Sequence, residues 1–360
     1  MVSEQRNYGI DLLRIVAMFM VLLLHIMGWG VLYNTEELSL NYGISWFVEI
    51  ASYCAVNCYA IISGYVGYGR KTKYSNLMYI VLCGAFYAII MTIVGCLVFP
   101  QTTIREAVRS LLHMRTDGWW YLKAYFCAFL FFPHINFLVE KYEKNRLYIL
   151  CLVMFLFLSV VPTLLYSDVF KTGIGYSPWW LMLMYYVGTV IKKYNVGASG
   201  RKIKYLLLYI VMVLLTFISK IGIGFATKKI FGEVILSDWL IAYTSPTIVL
   251  AAIFLVLYFK RIEFNKYTVE TVKVLTPLTF GVYLVHTQYF SKKWFANRFE
   301  IFAHMNPLLL IAGVLTSAVV IYFLCSLVDY VRQALFEKFR IKKLCEKAEK
   351  KLLEKIRCMF

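Results

Sequence analysis

Long apolar runs alternate along this chain with short polar joints, most of them basic. About 20 apolar residues cross a bilayer. On that measure the pattern predicts ten membrane-spanning segments, at 11–33, 46–67, 77–99, 119–138, 147–166, 178–191, 205–225, 237–259, 274–291 and 308–328. The sixth is short and has to draw on its flanks or on a thinned bilayer. Trp46, Trp119, Trp120, Trp179, Trp180, Trp239 and Trp294 fall near predicted segment ends, as an interfacial aromatic belt requires. No internal repeat and no soluble domain interrupts the series. Residues 331–360 instead set apolar against basic positions at helical spacing, which predicts an amphipathic helix on the inner leaflet. The expected fold is all-α: a polytopic transmembrane domain over 1–330 and a basic cytoplasmic tail over 331–360.

Composition agrees. The chain of 360 residues is 61% hydrophobic and 16% charged, with a mean hydropathy of +0.68, whereas a soluble domain is about 45–50% apolar and about 25% charged. A formal net charge of +18 would suggest nucleic acid in a soluble protein, but its placement excludes that reading. The basic residues gather in alternate joints: Arg70, Lys71 and Lys73; Lys141, Lys144 and Arg146; Lys192 to Lys204; Lys260 to Lys273. The intervening joints mix base with acid, as in Arg105-Glu106 and Arg115-Thr116-Asp117. The positive-inside rule then places both termini in the cytoplasm, and the expected partner is the bilayer, with no nucleic acid. Nine cysteines show no metal-ligand spacing, so small buried thiols are expected and no metal. The first segment is long, contains Arg14 and lacks a small-residue cleavage site, so it is expected to be a retained span rather than a signal peptide.

That first segment carries the candidate chemistry. Arg14 and His25 are eleven residues apart, about 20° past three helical turns, so they share one helix face roughly 16 Å apart. An ionisable group at membrane depth is costly and points to function. Asp11, three residues before Arg14, can pair with it. Imidazole titrates near neutral pH and suits a general base. Glu49 and Lys123 lie toward the outer ends of their segments, where a mutual ion pair or a wet cavity would accommodate them. Arg70 and Lys73 are at i,i+3 on the inner surface, and Tyr283 and His286 are at i,i+3 in the ninth segment. His113, His134 and His304 show no partner pattern.

Four motifs, in order, resemble the acyltransferase-3 family of membrane O-acyltransferases, over roughly residues 8–330. They are Ile10-Asp11-Leu12-Leu13-Arg14 with His25 following, Ala60-Ile61-Ile62-Ser63-Gly64-Tyr65, Trp119-Trp120-Tyr121 running to Phe132-Pro133, and Phe280-Gly281-Val282-Tyr283-Leu284-Val285-His286. The last two are similar to the branch that modifies surface polysaccharides. The resemblance implies transfer of an acyl group, usually acetyl, from cytoplasmic acyl-CoA to a hydroxyl of a cell-surface or lipid-linked glycan in a bacterial cytoplasmic membrane. CoA is then a donor substrate rather than a resident cofactor. His25 becomes the expected base and Arg14 a donor-side cation, with Arg14, Arg70, Lys73 and Ser63 at the donor. Glu49, Trp120, Tyr121, Lys123, Tyr283 and His286 are expected at the acceptor, along a passage leading from Arg14 up to His25. The chain also resembles the membrane portions of vancomycin-resistance serine racemases. That implies an alternative, a transporter of a small polar solute such as serine, although the paired repeat that such a protein tends to show is not evident.

Overall fold

The computed structural model describes residues 6–115 and 118–358, and among these every regular element is helical. Thr116 and Asp117, counted above with the mixed joints, lie outside the described residues. The chain forms α1 (Tyr8–Ile26), α2 (Leu40–Ser52), α3 (Ala55–Gly67), α4 (Tyr74–Val98), α5 (Ile104–Leu111) and α6 (Trp120–Lys141). There follow α7 (Lys144–Phe155), α8 (Val161–Leu164), α9 (Pro178–Lys193), α10 (Ile203–Phe231) and α11 (Pro246–Phe259). The last five are α12 (Lys266–Leu275), α13 (Thr279–His286), α14 (Tyr289–Phe295), α15 (Pro307–Lys338) and α16 (Ile341–Arg357). The joints supply the caps. Asn7, Ser39, Thr103, Ser177, Asn265 and Asn306 each accept a backbone N–H of the helix they precede, and Pro178 and Pro307 stand in first turns, where the missing N–H costs nothing.

Among the described residues, eight helical stretches are long and apolar enough to cross a membrane, and the chain is a multi-pass membrane protein. The sixth and eighth expected segments are helices of only 16 and 14 residues, α9 and α11. At 1.5 Å per residue neither spans about 30 Å. Both lie inside the bundle, with Trp180, Leu183, Met184, Val249, Ala252 and Val256 buried, so neither has to match the thickness of lipid. The polar turn around Ser237 and Asp238 replaces the expected start of the eighth segment. The ninth begins earlier than expected, bends at a 3₁₀ turn around Pro277 and ends at His286. The tenth runs unbroken to Lys338, past residue 330.

Helix α1 is central and packs against α2, α3, α11, α13 and α15. Glycine sets the closest approach in the bundle. A Cβ at Gly64 would stand 1.9 Å from the Tyr185 carbonyl oxygen, and one at Gly188 would stand 2.0 Å from that of Ile61, so α3 and α9 touch backbone to backbone. The first turns of α1 and the turn before α16 meet on one face, where Arg14 and the Arg340–Lys343 turn share a cavity.

Candidate functional site

His25 stands at the end of α1, where the helix loosens into a π turn over Met27–Val31, a feature often found at functional positions. Gly30, at φ 134°, allows that turn to bend, and a Cβ there would meet the backbone of Glu300 at 3.0 Å. The bend stacks Trp29 on the His25 ring at 5.4 Å and on Phe295 at 4.9 Å. On its other side His25 Nδ1 lies 2.9 Å from His286 Nε2, and His286 Nδ1 bonds to the Val282 carbonyl. A carbonyl only accepts, so His286 carries its proton on Nδ1 and presents a lone pair at Nε2. His25 must then donate from Nδ1, which leaves Nε2 as its basic nitrogen.

The His25 ring lines a cavity of about 280 Å³ together with Glu49, Tyr53, Trp120, Tyr121 and Tyr283. Tyr176 and Tyr243, from the segments just before α9 and α11, complete an aromatic wall. Asn57 fixes that wall: its side chain donates to the Tyr243 carbonyl at 2.8 Å and accepts from Trp180 Nε1 at 2.8 Å. The short helices thus leave the space that this cavity occupies. Glu49 Oε2 and the hydroxyls of Tyr121 and Tyr283 are buried on its walls with no hydrogen-bond partner among the described residues. Buried polar atoms normally find partners, so these three leave hydrogen-bonding capacity directed at one cavity.

A second cavity, of about 860 Å³, opens on the face that carries the first turns of α1 and the turn before α16, and is lined by Arg14, Ser63, Arg332, Arg340, Lys342 and Lys343 among others. Arg14 pairs with Asp11 at 3.2 Å, as its spacing predicts. Tyr59, Tyr121 and Phe280 line both cavities. The passage expected between Arg14 and His25 is therefore two chambers with an aromatic septum, because bulky rings fill the bundle centre. Tyr59 is pinned, its hydroxyl donating to the Arg14 carbonyl at 2.7 Å.

The remaining expected residues divide. Arg70 lines a separate pocket of about 250 Å³ with Arg14 and Lys192. Lys73 caps α4 and lines neither chamber. Lys123 is not on the His25 cavity, and the suggested Glu49–Lys123 pair is absent among the described residues, since Glu49 turns to the cavity. His286 is fully buried behind His25 and does not line its cavity. His113 bonds to the Thr287 carbonyl at 2.9 Å, and burial lowers its pKa to about 4, a neutral support for α13.

Sequence reasoning missed Trp29, Tyr53, Tyr176, Tyr243 and a buried pair, Asp329 with Arg332 at 2.6 Å. Tyr87 donates to Asp329 at 2.6 Å, and Arg332 donates to the Tyr79 hydroxyl at 2.9 Å. A Cβ at Gly281 would meet the Asp329 carboxyl at 2.0 Å, so the Gly281 of the Phe-Gly-x-Tyr-x-x-His motif lets α13 seat on that pair. An acid and a base at i,i+3 in an apolar helix, the signal used for Asp11 and Arg14, was also present at 329 and 332.

A family model described as an acyltransferase domain, acyltransferase-3, matches residues 7–327. No curated protein matches the chain, and no solved structure does.

Proposed function

The chain belongs to the acyltransferase-3 family, and on that premise we propose that it moves an acetyl group from cytoplasmic acyl-CoA to a hydroxyl of a cell-surface or lipid-linked glycan. The face with the first turns of α1 and the turn before α16 is cytoplasmic in this reading, and the membrane is that of a bacterial cell. The observation that carries it is the geometry of the histidine pair, from which the proton order follows. A neutral His286 accepts from His25 Nδ1 and leaves His25 Nε2 basic on a cavity with three unpartnered polar atoms. The donor occupies the larger chamber with its thioester directed past Arg14 and Ser63. The acceptor occupies the smaller one, its sugar ring against Trp120 and Tyr243 and its other hydroxyls on Glu49, Tyr121 and Tyr283.

His25 Nε2 takes the proton of the reacting hydroxyl as that oxygen bonds to the thioester carbon. Collapse of the tetrahedral adduct breaks the carbon–sulfur bond, and the imidazolium returns its proton to the departing thiolate. While His25 is cationic, the His286 lone pair holds its Nδ1–H and so favours the charged ring. Trp29 keeps the ring from turning away.

The test is release of CoA by purified protein from acetyl-CoA, with and without candidate glycans. Acceptor-dependent release is expected, falling by at least about 100-fold in His25→Ala, the usual scale of a lost general base. Near-normal transfer by a folded His25→Ala protein would overturn the assignment.

A further inference from the structure

The C-terminal helix is docked rather than free on a surface. Glu349 accepts the Tyr74 N–H at 2.7 Å at the start of α4, and Cys345 beneath it is 4% exposed. The turn that launches α16 has Arg340 at φ 52°, and it carries Arg340, Lys342 and Lys343 onto the mouth of the 860 Å³ chamber. All three are exposed, and none is ion-paired among the described residues. The other cations of that chamber already have partners, Arg14 in Asp11 and Arg332 in Asp329. Deeper in, its walls turn apolar with Ile80, Leu122, Tyr125 and Phe280. The chamber is therefore cationic at its mouth and apolar within, which fits an occupant with an anionic head and a long neutral arm. Its volume lies within the range of cofactor-sized sites, roughly 300–1,000 Å³.

We infer that Arg340, Lys342 and Lys343 form a phosphate-binding wall, so that the C-terminal helix is part of the donor site. This rests on the acyl-CoA reading above and adds where the phosphates go: to the tail, not to Lys73, which lies away from the chamber. Lys and Arg hold phosphate through charge-assisted bonds. Glu337 and Glu346 share the wall and oppose the same anion, so substitutions there act with the opposite sign. Phosphate also occurs on lipid headgroups, and the exposed Leu344, Leu352 and Ile356 of α16 suit a membrane surface. The experiment has to separate the two sources.

Full-length protein is placed in nanodiscs of zwitterionic and, separately, of anionic lipid, and the affinities of CoA and of pantetheine, which lacks the phosphates, are measured in each. The triple variant R340Q/K342Q/K343Q is expected to bind CoA about tenfold or more weakly, as removal of charge-assisted bonds to phosphate requires, with pantetheine unchanged. E337Q/E346Q is expected to bind CoA more tightly, which guards against a triple variant that simply misfolds. Unchanged CoA binding by both variants, with wild-type protein binding CoA, overturns the tail wall and leaves the acyl-CoA reading standing. An effect confined to nanodiscs of anionic lipid assigns the cations to headgroups and likewise overturns it. Failure of the wild-type protein to bind CoA at all overturns the donor reading itself.

Discussion

A histidine inside a helical bundle is inert or basic according to where its proton points, and here a single backbone carbonyl decides. Val282 accepts from His286 Nδ1, which forces the lone pair of His286 toward His25. His286 touches no substrate in this arrangement and acts as a positioning residue. His286→Ala removes the acceptor that holds His25 in its basic tautomer, so kcat is expected to fall by roughly tenfold or more while the KM for acetyl-CoA stays put, the pattern of an interaction made only during the reaction. His286→Gln, whose side-chain oxygen also accepts, is expected to restore part of the rate. Steady-state kinetics of the two variants decide this; a rise in KM with kcat intact would make His286 a binding residue instead. The spacing of Tyr283 and His286 placed both near the acceptor in the sequence. It could not show that one lines the cavity and the other backs His25, because tautomer and depth depend on neighbours hundreds of residues away.

At the scale of elements, the Ser63-Gly64 motif has a plain packing reason. Gly64 and Gly188 let α3 and α9 approach until side chains on either would strike the opposite backbone. Gly64→Ala or Gly188→Ala is expected to destabilise the protein by about 1–3 kcal/mol, the usual cost of overpacking, and to lower the unfolding temperature in detergent; an unchanged value would mean that the helices can slide apart freely. Hydropathy located all ten helical regions, because lipid-facing length is written in composition. It marked α9 as short, as the structure has it, but made α11 too long, because a helix surrounded by other helices is just as apolar but has no bilayer to match. It likewise ended the tenth helix too soon, since Asp329 and Arg332 look like the start of an aqueous tail until each is seen to satisfy the other inside the bundle.

Across the whole molecule, several departures from regular helix lie around one place, while the π turn Leu156–Val160 stands apart from both chambers. The π turn after His25, the break at Tyr53 between α2 and α3, the turn at Pro277, the segment before α9 and the late start of α11 border the septum or the two chambers. Irregular backbone at membrane depth persists where it lines a protein cavity, which accounts for these breaks beside the two chambers. Transfer needs the two chambers to connect, and the septum is held unevenly. Tyr59 is tied to the Arg14 carbonyl, whereas the Tyr121 hydroxyl has no partner among the described residues and Phe280 has no polar group to tie. In the proposed transfer, Tyr121 and Phe280 are thus the side that would yield to a thioester. Phe280→Ala should leave a standing opening, through which water as well as acceptor reaches the thioester beside His25. The expected result is acetyl-CoA hydrolysis without glycan, absent in the wild-type protein. Phe280→Trp thickens the septum and should lower the transfer rate while leaving CoA affinity intact. CoA release measured with and without acceptor reads both variants. If Phe280→Ala shows no acceptor-free release and Phe280→Trp transfers normally, the acyl group does not pass between these rings, and donor and acceptor meet on the Arg14 side of the septum.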